Sequence, residues 1–131
     1  MKLAVDTNVV LRAVLNDIPA MGEAARDTLS AYTNKDVFLS CVVLIEIFYV
    51  VHKYYKLPEK DTLDLIHGLL NDSAFQVEHE VAVRLALAKT QKGLPFIDTL
   101  IGEIGALRNL HTLTFDAKLL EKDKNFVPVK K

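Results

Sequence analysis

The sequence is short of several things, and each shortage excludes something. It has a single cysteine, Cys41. One chain therefore holds neither a disulfide framework nor a cysteine-built zinc site, and a reducing compartment is the simpler setting. It has no apolar run of the about 20 residues that a membrane helix requires. The most apolar stretch, residues 41–51, is interrupted by Glu46. The opening MKLAVDTN meets Asp6 too soon to form the apolar core of a secretory leader. There is no excess of either charge: 16 Lys and Arg stand against 17 Asp and Glu, a net charge of −1. Bulk electrostatics thus do not mark a nucleic-acid binder, and do not exclude one, because a local basic patch or a bound cation supplies the same attraction. Internal repeats and low-complexity segments are missing, and Val129-Lys130-Lys131 is too short for a basic tail. The expectation is a soluble, cytoplasmic protein with no membrane association.

What is present is the material of one globular domain. The 131 residues are 50% hydrophobic and 25% charged, a balance in which disorder is not the default. The length fits a single domain over residues 1–131 with its own core. Leu3-Ala4-Val5 reads as a buried first strand stopped by Asp6. Helical spacing follows through Val9, Val10, Ala13 and Val14, and again from Pro19 to Tyr32. Asn34-Lys35-Asp36 reads as a turn and Val37-Phe38-Leu39 as a second strand. Ser40 is placed to cap a helix over residues 41–55, a run longer than the about 4–8 residues usual for a buried strand. Lys56-Leu57-Pro58-Glu59 breaks into another helix through Leu70, and Phe75-Gln76-Val77 is a third strand. Residues 79–92 are helical, with Val81, Leu85 and Ala88 on one face and Gly93 as terminator. Pro95 opens a helix to about Arg108. His111-Thr112-Leu113-Thr114 is a fourth strand, residues 117–121 a short helix, and Val127-Pro128-Val129 an edge strand. Strands alternating with helices predict an α/β fold, a mainly parallel sheet with helices on both faces.

Ligands of open α/β sheets bind beyond the carboxyl ends of the strands. Asp6 follows the first strand and Asp116 the fourth; Thr7 and Asn8 adjoin the former and Thr114 precedes the latter. Each aspartate is equally well explained as a helix N-cap. Glu46 has five apolar residues on either side. At helical spacing it meets only Val42, Val43, Tyr49 and Val50, so no lysine or arginine pairs with it locally. An isolated buried carboxylate is costly. Glu46 therefore either serves a site, lies partly exposed, or is hydrogen-bonded to some distant donor. Asp98 occupies the first turn of its helix, where the dipole favours a negative charge. Gly102 and Gly105 follow on the same face, which predicts close packing against the sheet with the carboxylate aimed inward. If the four acids converge they repel, and a hard divalent cation such as magnesium relieves the repulsion. Such a site suits phosphoryl chemistry.

Val5-Asp6-Thr7-Asn8, Glu46 in its apolar helix, Phe96-Ile97-Asp98-Thr99-Leu100-Ile101 and Thr114-Phe115-Asp116 follow in that order across nearly the whole chain. This pattern resembles a PIN domain, most closely the VapC-type ribonuclease toxins of type II toxin–antitoxin modules. The resemblance implies a three-layer α/β/α sandwich with a central parallel sheet. It implies Asp6, Glu46, Asp98 and Asp116 as the catalytic acids and metal ligands, for Mg2+ or Mn2+, with Asn8 and Thr114 as hydrogen-bonding support. The implied activity is metal-dependent endonucleolytic cleavage of RNA by an activated water. The implied partners are an RNA substrate, a second copy in a homodimer and a cognate antitoxin. Arg12, Lys53, Lys56, Lys89 and Lys92 are then candidates to steer RNA, and Tyr54 and Tyr55 to stack bases. The competing readings are solvated surface charge and helix packing. His52, His67, His79 and His111 show no metal-ligand spacing.

Two other classes compete. A phosphatase of the haloacid dehalogenase type also opens with a strand ending in Asp, but it needs a second Asp two positions on, where this chain has Asn8. The non-enzymatic alternative is a catalytically silent PIN-like module that binds RNA or protein, its acids serving as caps.

Overall fold

The short apolar runs form parallel strands and the longer amphipathic runs form helices. The computed structural model describes residues 3–130. Met1 and Lys2, in the stretch read against a leader, and Lys131, at the end read against a basic tail, lie outside the described residues. The chain divides into two units, Met1–Glu78 and His79–Lys131.

The first unit runs β1 (Leu3–Ala4), α1 (Thr7–Leu15), α2 (Pro19–Ser30), β2 (Val37–Leu39), α3 (Cys41–Tyr49), a π-helical turn over Val50–Tyr54, α4 (Glu59–Asn71) and β3 (Phe75–Val77). The strands pair in parallel in the order β1-β2-β3. Val37 lies opposite Phe75 and Leu39 opposite Val77, so these four buried side chains share one face. Alternate residues Phe38 and Gln76 are exposed. Pro19 sits in the first turn of α2, where its missing N–H costs nothing. The two helices α1 and α2 approach so closely that a Cβ on Gly22 would stand 2.8 Å from the Arg12 carbonyl oxygen. Ser40 caps α3 as its type predicts, accepting from the Val43 N–H at 3.2 Å.

Helix α3 resolves the puzzle of its central carboxylate. Leu44, Ile47 and Val51 are fully buried. Val42, Glu46 and Tyr49, spaced by four and three residues, form the opposite, exposed stripe. Glu46 is thus not a charge sunk in a core; the helical period turns it outward from an apolar stretch. Beyond Tyr49 the backbone widens, with the Tyr55 N–H donating to the Val50 carbonyl at 3.2 Å.

The second unit runs α5 (Glu80–Thr90), α6 (Phe96–Leu107), β4 (Thr112–Thr114), α7 (Ala117–Lys122) and β5 (Phe126–Pro128). Here β4 pairs with β5, again in parallel. Among the described residues every strand pairing is therefore parallel, in a helix-rich α/β chain, and the pairings fall into one three-stranded and one two-stranded group. Helix α5 contacts α6 and buries Ala82, Val83, Ala86 and Leu87. Val81, Leu85 and Ala88 do share a face, but it is exposed. Gly102 and Gly105 pack as predicted: added Cβ atoms would stand 2.7 Å from the Phe126 ring and 2.8 Å from Thr112 Oγ1. Among the described residues no helix is long and apolar enough to cross a membrane.

Candidate active site

In the first unit Asp6, Asn8 and Glu46 line one cleft of about 560 Å³, together with Thr7, Leu11, Arg12, Val50, Tyr54 and Tyr55. Asp6 ends the β1 connection and caps α1, its Oδ1 accepting from the Thr7 N–H at 2.7 Å. The capping reading is therefore realised, but it uses only one carboxylate oxygen. Glu46 approaches from α3, and its Oε1 accepts the Thr7 hydroxyl. Thr7 is buried, whereas Asp6, Asn8 and Glu46 are exposed. The middle residue of Asp6-Thr7-Asn8 thus joins two acids 40 positions apart in sequence. Sequence reasoning passed over Thr7; its place inside the Asp-Thr-Asn motif was the available signal.

In the second unit Asp98 lies half-buried in the first turn of α6, one turn before Gly102. Asp116 caps α7 through Oδ1, which accepts from the N–H groups of Lys118 at 2.9 Å and Leu119 at 3.1 Å. Thr114 supports that turn, its Oγ1 accepting from the Asp116 N–H at 3.0 Å. The structure brings Asp6 and Glu46 together within one unit, and sets Asp98 and Asp116 on separate helices of the other. Within either unit, no three of the described His, Cys, Asp and Glu side chains gather as a metal cluster. The available donors are carboxylate oxygens, hard ligands of the kind magnesium and manganese take. The donor chemistry therefore fits such a cation.

The cationic candidates separate. Arg12 pairs with Asp17 at 2.7 Å, and the Tyr55 hydroxyl donates to the same Asp17 oxygen at 2.7 Å. Those contacts, the tyrosine hydrogen bond first, hold the Asp17 carboxyl below its ordinary range. Lys53, Lys56 and Lys92 are exposed. Lys89 is not a free surface charge: its ammonium lies 2.5 Å from Glu103 and 2.7 Å from Asp123, both buried. Tyr54 is 78% exposed, which removes the helix-packing reading for it. His52 is held through Nδ1 against the Leu57 carbonyl at 3.0 Å and lies beside Phe48. Cys41 is buried, with its N–H on the Glu78 carboxylate at 2.9 Å. Burial, then the Glu78 charge, pushes its thiol up to about 11.

The PIN domain family model matches residues 3–125, and the chain belongs to the PIN domain family. PIN domains are generally nucleases. No curated protein sequence matches the chain. Among solved structures, one described as "Toxin-antitoxin complex from Klebsiella pneumoniae" is similar, with 20% sequence identity over 97% of this chain and 96% of that chain and a TM-score of 0.36.

Proposed function

We propose that this chain is a Mg2+- or Mn2+-dependent endoribonuclease, the toxin of a toxin–antitoxin pair, and that residues 1–131 act as one PIN domain. The observation that carries the reading is the Asp6–Thr7–Glu46 arrangement at the wall of a cleft in a PIN-family chain. In this reading Asp6 and Asp98 would hold the cation directly, with Glu46 and Asp116 completing its surroundings. A divalent ion supplies charge compensation for phosphodiester hydrolysis when bound. Asn8 and Thr114 orient the acids. Arg12, Lys53 and Lys56 draw in the RNA backbone, and Tyr54 presents a face to an unpaired base. A homodimer, a cytoplasmic setting and inhibition by a cognate antitoxin complete the proposal; they rest on the sequence resemblance.

One observation favours the silent module instead: Asp6 and Asp116 both serve as helix caps. Cleavage assays on the purified chain, free of partner, separate the two. Wild type cleaves single-stranded RNA only with Mg2+ or Mn2+. Asp6→Asn and Asp98→Asn each lose at least about 100-fold, since even partners one step removed from a metal cost about 10–100-fold. Intact RNA at every Mg2+ and Mn2+ level refutes the catalytic reading and leaves the binding module.

A further inference from the structure

We infer that Thr7 is a positioning residue, whose hydroxyl sets Glu46 in register with Asp6; the inference rests on the nuclease reading above. Thr7 opens α1, so the first helical turn holds its backbone. Its amide donates to Asp6 Oδ1 and its hydroxyl to Glu46 Oε1. One residue therefore grips a carboxylate from each of two elements, and through different groups. Its burial and its β-branch restrict it to few rotamers, so the hydroxyl points in a set direction. Glu46 needs this more than Asp6 does. It is exposed, carries three side-chain torsions, and has only apolar or aromatic residues one turn away on α3. The Thr7 hydroxyl is its one side-chain hydrogen-bond donor among the described residues. Without it the carboxylate samples many rotamers, few of which face Asp6. A pair of carboxylates fixed before the ligand arrives binds a divalent cation better than one that must be ordered on binding.

The separation of the two donors makes the inference testable. Thr7→Val keeps the shape and the amide bond to Asp6 but removes the hydroxyl; Thr7→Ser restores the hydroxyl. Mn2+ binding is read directly from the free-ion electron paramagnetic resonance signal on metal-free protein, and RNA cleavage is read separately. Thr7→Val is expected to weaken Mn2+ binding by about 10–100-fold and to lower kcat more than it raises KM, with Thr7→Ser within a few-fold of wild type. Glu46→Ala serves where Thr7→Val lowers stability: if Thr7 acts through Glu46, adding Thr7→Val to Glu46→Ala costs no more than Glu46→Ala alone. Additive losses, or a Thr7→Val protein that binds Mn2+ like wild type, overturn the inference. Asp6→Asn distinguishes this from failure of the underlying reading. If Asp6→Asn abolishes cleavage while Thr7→Val matches wild type in Mn2+ binding and kcat, only the inference falls. If Asp6→Asn changes neither Mn2+ binding nor cleavage, the nuclease reading falls with it.

Discussion

Replacing Lys89 with methionine decides between a role in RNA steering and a role in holding the second unit together. The Lys89 ammonium sits 2.5 Å from Glu103 Oε2 and 2.7 Å from Asp123 Oδ1. Asn125 adds a hydrogen bond to each acid, its side chain to Glu103 at 2.7 Å and its N–H to Asp123 at 3.0 Å. Glu103 is 7% exposed and Asp123 2%. Methionine preserves the apolar stem but leaves two buried carboxylates without their shared cation. Their oxygens stand no more than about 5 Å apart, where two unit charges repel by about 3 kcal/mol at an effective dielectric constant near 20. Removing one member of a buried ion pair costs about 3–5 kcal/mol; partial exposure of Lys89 favours the lower end. At about 2 cal/mol/K of unfolding entropy per residue, a loss of about 3 kcal/mol lowers the melting temperature by roughly 10 °C. Thermal unfolding at pH 7 measures it, with Lys89→Met/Glu103→Gln/Asp123→Asn expected to recover most of the loss. Burial lowers the Lys89 pKa, but the hydrogen bonds to Asp123 and Glu103 outweigh it and the net shift is upward. The stabilisation is therefore complete below the ordinary lysine pKa of about 10.4 and is lost as pH rises through the raised value. A Lys89→Met protein that melts within about 2 °C of wild type yet binds RNA more weakly would refute the structural role and restore the steering one.

Three further outcomes are expected. Tyr54→Ala should raise the KM for single-stranded RNA by about 5–100-fold with kcat little changed, because stacking contributes about 1–3 kcal/mol per base; an unchanged KM removes Tyr54 from the substrate path. Cys41 should resist alkylation in the native protein at pH 8 and react after denaturation, because its thiol is buried and its pKa stands near 11 rather than the ordinary 9.0. Its raised value stabilises the fold below pH 9 and ceases to do so as pH rises towards 11, so Cys41→Ala should show a shallower alkaline loss of stability. Equal alkaline profiles would refute this.

Much of the architecture was legible because local chemistry decides it. Ser40, Asp6 and Asp116 cap the helices their types predict, and short β-rich runs became the strands. Gly102 and Gly105 marked the face of α6 that meets β4 and β5. The ordered acids of the PIN pattern pointed to the family that the match over residues 3–125 establishes. Periodicity in α5 was a poorer guide. It placed Val81, Leu85 and Ala88 on one face, and only tertiary packing determines that this face is exposed while Ala82, Val83, Ala86 and Leu87 are inside.

Sequence alone thus determined which residue types stand at strand ends and helix starts, because capping and turn preferences act over a few neighbouring positions. Tertiary structure decided whom each charged group meets. Glu46 was not a buried charge but an exposed one held by Thr7, 39 positions away. Lys89 was not a free cation but the centre of an ion cluster drawn from α5, α6 and the segment before β5. Such partners are brought together by chain folding over long separations, and no local spacing in the sequence encodes a contact of that range.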